Sequence, residues 1–182
     1  MHDQFLVDFA AAAQARAMRS LDDNYRVARH NFIDIAVKPQ GGIWKAVASV
    51  KNTRTDSGAS FIANLIGSAA GTPANYIALS SATLTPVKTD VALTGEITTA
   101  GLARAIAAFG AYTAPTTLNG SASFQLSKTF TYTGSTTVNV VSGALLNAAT
   151  AGTLLSEANF TPAQATVNAN GDQVAVTWTI TV

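Results

Sequence analysis

Side chains able to do chemistry are few in this chain and poorly grouped. The two histidines, His2 and His30, stand far apart and in different expected elements, so surface or packing roles are expected of them rather than a shared metal. Neither has a neighbouring acid and a nucleophile on a recognisable elbow, so no Ser-His-Asp arrangement is read. Asp22–Asp23 has the charge to hold a cation, but adjacent acids there read as a helix end. Acid-pair cleavage of a glycosidic bond needs two carboxyls in one cleft. The candidates are Asp90, Glu96, Glu157 and Asp172, and nothing in their spacing favours a pair. "GSAAGTPANY" contains glycine but lacks the Lys-Ser/Thr ending of a phosphate loop. With no cysteine, disulfides and thiolate metal sites are excluded. The expectation is a chain that is not an enzyme and holds neither cofactor nor metal.

One charge stands out. If 101–109 is a strand, Arg104 shares a face with Leu102 and Ile106, and a charge on an apolar face needs a partner. Arg104 is expected to pair with Glu96 or Glu157 and fix the register of its sheet; the alternative is an edge position with its head reaching water. Charge is otherwise scarce: Asp, Glu, Lys and Arg make up 12% of the chain, about half the usual share. Residues 1–60 carry 14 of these 21 residues, while residues 61–182 carry seven. The first third combines eight basic with six acidic side chains, a solvated or protein-docking surface rather than a nucleic-acid arm. The apolar stretches near the start are broken by Asp8, Gln14 and Arg16, so neither a membrane span nor a secretory signal is expected there.

The elements that must position these groups change character along the chain. Over residues 3–23, Phe5, Phe9, Ala13, Ala17 and Leu21 recur at i+4 and predict a helix, packed either on its own domain or on a neighbour. "YRVARHNFIDIAVK" (25–38) reads as extended, "KPQGG" as a turn, and "IWKAVASV" (43–50) as a further strand. "KNTRTDSG" is a polar loop and the candidate boundary, giving an arm over 1–56 and a second domain over 57–182. Ser57 is expected to cap a short helix that Gly67 ends. "ANYIALSS" is a short strand, and "GLARAIAAF" (101–109) is helix or strand by composition.

Two segments decide the class. In "SASFQLSKTFTYT", Phe124, Leu126, Phe130 and Tyr132 alternate with Ser, Gln and Thr; in "QVAVTWTITV", Val174, Val176, Trp178, Ile180 and Val182 do the same. A period of two held this long fits a strand and not a helix. "SGALLNAATAGTLLSEANF" then reads as a hairpin, with Ala144–Leu146 and Leu154–Glu157 joined by a loop over Asn147–Thr153. The expected fold is mainly β: an antiparallel β-sandwich (jelly-roll or Ig-like) with a helix-containing N-terminal arm.

Residues 57–182 also resemble a family of tailed-bacteriophage virion proteins. The resemblance rests on a short helix, then "ANYIALSS", "TDVALTGEI", "GLARA", "KTFTYTGSTTVNVVSGALLNAATAGTLLSEANF" and "NGDQVAVTWTITV", in that order. Members commonly read like "YIALGTG", "TAL..E", "GLFNA..GGTLL" and "GD.LTVTWT.T"; Ser80–Ser81 and Ala144 depart from this pattern. The resemblance implies a β-sandwich module of phage heads or tails, often described loosely as a tail fibre protein, without enzymatic activity. The expectation that follows is a capsid decoration or cement protein on the outer surface of the virion. Its partners would be the major capsid protein and its own copies, three to an assembly, with no direct contact to nucleic acid or membrane. Phe5, Phe9, Leu21, Phe32 and Trp44 are the expected docking residues of the arm. The alternative is a tail or baseplate fibre component that recognises a host glycan, for which Tyr112 and Phe160 are the candidate exposed aromatics.

Overall fold

A computed structural model describes residues 32–67, 72–116, 122–161 and 163–181. The alternating segments do become strands. β7 (Ser123–Thr131) lies antiparallel to β12 (Gln173–Thr181), with Phe130 opposite Val174 and Leu126 opposite Trp178. Every second residue of β12, from Val174 to Ile180, is buried, and its Thr-rich face is turned away from the core.

On the far side of β12 lies β1 (Phe32–Lys38), followed by β2 (Lys45–Lys51); β6 (Ala108–Thr113) closes the other end. The first sheet therefore runs β2-β1-β12-β7-β6. The second contains β3 (Thr53–Arg54), β4 (Tyr76–Ser80), β5 (Ala105–Ile106), β9 (Ser142–Leu146) and β10 (Leu154–Asn159) in the order β3-β10-β9-β4-β5. A two-stranded ribbon pairs β8 (Val138–Val140) with β11 (Ala165–Val167). All the pairings are antiparallel. Ile33, Ile35, Leu126, Phe130, Val176 and Trp178 from the first sheet meet Ile77, Leu79, Leu145 and Leu155 from the second in one buried core. Each aliphatic or Phe side chain so buried contributes about 1.5–3 kcal/mol before the cost of ordering the chain. The fold is an antiparallel β-sandwich, as the alternation predicts.

The division at residue 56 needs correction. β1 is not part of a detached arm: it sits between β2 and β12, with Ile33 opposite Trp178 and Ile35 opposite Val176. Thr53 and Arg54 pair with Glu157 and Ser156 on β10. Residues 32–54 thus belong to the sandwich. Charge and loop composition mark a boundary at residue 56, and neither reveals that a strand near the start pairs with the last one. Phe5, Phe9, Leu21, His2, His30 and Asp22–Asp23 lie outside the described residues.

The helix α1 (Asp56–Gly67) is capped by Thr55 rather than by Ser57. The Gly58 amide donates to Thr55 Oγ1 (3.0 Å), and the Ala59 amide donates to the Thr55 carbonyl (2.9 Å). Ser57 Oγ instead donates to the Leu154 carbonyl (3.0 Å), pinning the first turn to β10. The predicted β9–β10 hairpin is present, and its loop closes where the Thr153 amide donates to Asn147 Oδ1 (2.6 Å). Gly152 there has φ 84°, a conformation that costs glycine little. Residues 101–109 are neither one helix nor one strand. The chain crosses from the second sheet to the first at Ala107, whose amide donates to the Asn75 carbonyl (2.7 Å).

Candidate functional site

The polar side chains of the second sheet converge on the segment 81–104, which joins β4 to β5 and covers the face of that sheet turned away from the core. Leu84 and Leu93 pack there on Ala78, Ala144, Leu146 and Leu154. Ser80 Oγ donates to the carbonyls of Thr94 (2.6 Å) or Gly95 (3.0 Å), and Ser142 Oγ to that of Ala82 (2.7 Å). The Asn159 amide brackets Leu84, accepting from its N–H (2.8 Å) and donating to its carbonyl (2.7 Å). Ser80, Ser142 and Asn159 stand opposite or next but one along the same ladders, so strand alternation puts them on one face. The segment is a strap with its backbone groups individually held.

Arg104 closes the end of this strap. Its Nε and Nη2 donate to Glu96 Oε1 (2.8 Å) and Oε2 (2.5 Å), a bidentate pair, while Nη1 donates to the carbonyls of Ala148 (3.1 Å) and Ala151 (2.7 Å) in the β9–β10 loop. The expected partner Glu96 is therefore the right one. The expected face is not: Leu102 is buried and Ile106 exposed. Glu157 does not meet Arg104, and the alternative pairing falls.

Glu157 is instead buried on β10 and hydrogen-bonded to Asp90 of the strap. Burial pushes its pKa from 4.5 up to about 7, helped by the hydrogen bond and the negative charge of Asp90. Asp90 is shifted down, first by the Val87 N–H that its Oδ2 accepts (2.8 Å) and then by Glu157. Two carboxyls that sequence spacing leaves unconnected thus come together between the strap and β10. The meeting comes from the fold of a long loop over a sheet, for which the sequence carries no periodic signal. Glu157 lies buried under the strap, with Asp90 as its acidic neighbour. Asp172, the fourth carboxylate, accepts from the amides of Asn168 (2.8 Å), Ala169 (3.0 Å) and Gln40 (2.8 Å). These bonds, that of Asn168 first, hold its pKa below 3.8 against the opposing effect of burial. It ties the turn before β12 to the β1–β2 connection.

Among the described residues, no group of three or more His, Cys, Asp or Glu is placed to hold a metal ion, and no helix is long and apolar enough to cross a membrane. The docking residues that are described lie at the surface. Phe32 opens β1 and is 36% exposed, and Trp44 precedes β2 and is 44% exposed, with Lys38 Nζ 6.0 Å from its ring centroid. Of the two aromatics considered for glycan contact, Tyr112 is exposed but Phe160 is buried in the core. Its neighbour in exposure is Phe109, whose ring stacks on Phe124 with centroids 5.4 Å apart. The sequence does not mark Phe109, because "GLARAIAAF" has no clear period of its own. No known protein family, curated protein or solved structure matches this chain.

Proposed function

We propose that the protein is a non-catalytic structural component of a phage virion, a decoration or cement protein that binds the outside of the capsid shell. The observation that carries this reading is how the side chains are used. The carboxylates with shifted pKa values and the bidentate Arg104–Glu96 pair fasten the strap and the turns, while several large apolar groups are exposed, among them Phe32, Ile43, Trp44, Phe109 and Tyr112. Such a surface suits contact with other proteins. The resemblance of residues 57–182 to phage virion proteins supports the same reading.

The mechanism is mechanical. Each copy buries interface against the major capsid protein through its leading segment, with Phe5, Phe9 and Leu21 ahead of Phe32 and Trp44. Three copies form the unit, and weak contacts repeated over the shell add through multivalency. The contacts involve no nucleic acid and no membrane. The test is to image particles carrying the full chain and to compare shell occupancy with that of Phe5→Asp/Phe9→Asp and Trp44→Asp variants. The parent is expected in hundreds of copies on the head, and the variants at strongly reduced occupancy; undiminished occupancy contradicts the assignment. A second reading, a tail or baseplate fibre component, is favoured only by the exposed Phe109–Tyr112 pair, and predicts a handful of copies per particle on the tail.

A further inference from the structure

The two narrow sides of the sandwich differ in chemistry. One is closed by β2 and β3, the terminal strands of their sheets, and carries Lys45, Lys51 and Arg54. The other is closed by β6 and β5, and no Asp, Glu, Lys or Arg occurs between Arg104 and Lys128. On this second side Ile106, Phe109 and Tyr112 are 54%, 67% and 63% exposed. Proteins guard edge strands by charge or by keeping them short. β2 has a lysine at each end, and β3 and β5 are two residues long; β6 has neither, and its pairing edge is interrupted instead by a bulge.

The β6–β7 register gains one residue on β6 between Phe109 and Tyr112, which stand opposite Leu126 and Phe124. Without that bulge two residues three apart on a strand point to opposite faces. With it, both rings take the face of Leu126 and Phe124. Phe124 itself packs against the main core. Phe109 and Tyr112 are exposed on the core-facing side, so the first sheet overhangs the second here and ends in an aromatic ledge.

We infer that copies of this chain meet through their β5–β6 sides, with the Phe109–Tyr112 ledge of each copy turned toward the symmetry axis that the copies share. The inference rests on the reading of the protein as an oligomeric structural component, and names the surface its copies use. Contact about a symmetry axis brings like residues near one another, and like charges there repel. Beside the ledge stand Lys128, which lines one concavity with Ile106 and Ala108, and Arg104, neutralised by Glu96, whereas the opposite side carries three cations, Lys45, Lys51 and Arg54. The ledge itself is apolar and offers little to a nucleic acid or an acidic peptide. Two rings about two-thirds exposed and one half-exposed isoleucine offer about 400 Å² per copy, roughly half of the ~800 Å² per partner of a stable complex. The contact is therefore concentration-dependent in solution and firm where copies are held side by side.

Sedimentation equilibrium of the full chain, from micromolar to millimolar concentration, tests this. The parent mass is expected to rise with concentration, and Phe109→Lys and Tyr112→Lys each to weaken association by about tenfold or more. Ser49→Lys, on the β2 side, should leave it unchanged, and thermal unfolding checks that each variant is folded. On the unmodified protein, amide exchange along β6 should slow as concentration rises, a readout independent of any substitution. A parent that stays a single copy throughout, or association indifferent to both lysines, overturns the inference. So does a single-copy parent whose β6 amides are already protected, since another segment of the chain would then cover the ledge. Association through β6 by a protein absent from the shell in particle images would instead sink the shell reading and leave this contact standing.

Discussion

Glu157 holds a proton in the folded protein at a pH where the unfolded chain has released it, and this sets the sign of its effect. Its folded pKa, about 7, lies above the ordinary 4.5, so its stabilising contribution is complete below about pH 4.5 and is lost as pH rises through 7. Glu157→Gln keeps a donor toward Asp90 without the charge. It should melt a few degrees above the parent at pH 8, on the order of 1 kcal/mol, with the gap closing toward pH 5; an equal gap at both pH values contradicts the raised pKa of Glu157. Asp172 has the opposite sign. Its pKa is depressed, so its contribution is present above the ordinary 3.8 and is lost as pH falls through the folded value. Asp172→Ala strips the acceptor from three amides and should cost roughly 2–4 kcal/mol in denaturant unfolding at pH 7. Arg104→Lys keeps the charge but cannot reproduce the fork to Glu96 or both carbonyl bonds, and should cost about 1–3 kcal/mol. The pairing of Arg104 with Glu96 was expected for a reason that does not hold, since Arg104 precedes β5 and shares no strand face with Leu102 and Ile106; the choice of Glu96 over Glu157 comes from the path of the strap.

At the scale of elements, α1 shows how tertiary contact overrides local preference. Gly58 in its first turn would ordinarily be improved by alanine, by about 1 kcal/mol. Here a Cβ would lie 2.2 Å from the Leu155 carbonyl oxygen, so Gly58→Ala should instead destabilise by roughly 1–3 kcal/mol, measurable by chemical denaturation. A neutral or stabilising result would mean the helix stands off β10. Thr55 rather than Ser57 is the cap because the helix begins at Asp56, which puts Ser57 inside the first turn; both hydroxyls donate to the Leu154 carbonyl and pin that turn to β10. β7 and β12 were readable because each keeps one face buried along its length. Residues 101–113 were not, because the chain changes sheets at Ala107 and then bulges, which breaks the period of two.

At the scale of the molecule, the place of β1 decides what can be removed. A chain starting at residue 57 lacks β1 and β2, leaves β12 unpaired on one side, and deletes Ile33 and Ile35 from the core. It should show no cooperative thermal transition by circular dichroism, whereas two independent units divided at 56 would leave one intact.

What the sequence determined by itself was the class of fold and the absence of a recognisable catalytic motif, because both are written locally, in two-residue alternation and in motif spacing. Tertiary structure alone decided that residues 32–54 complete the sandwich, that Asp90 and Glu157 come together, and that Phe109 and Tyr112 stand together at an apolar edge. Each of these depends on partners or register distant along the chain, and no local pattern encodes which strand will lie beside which.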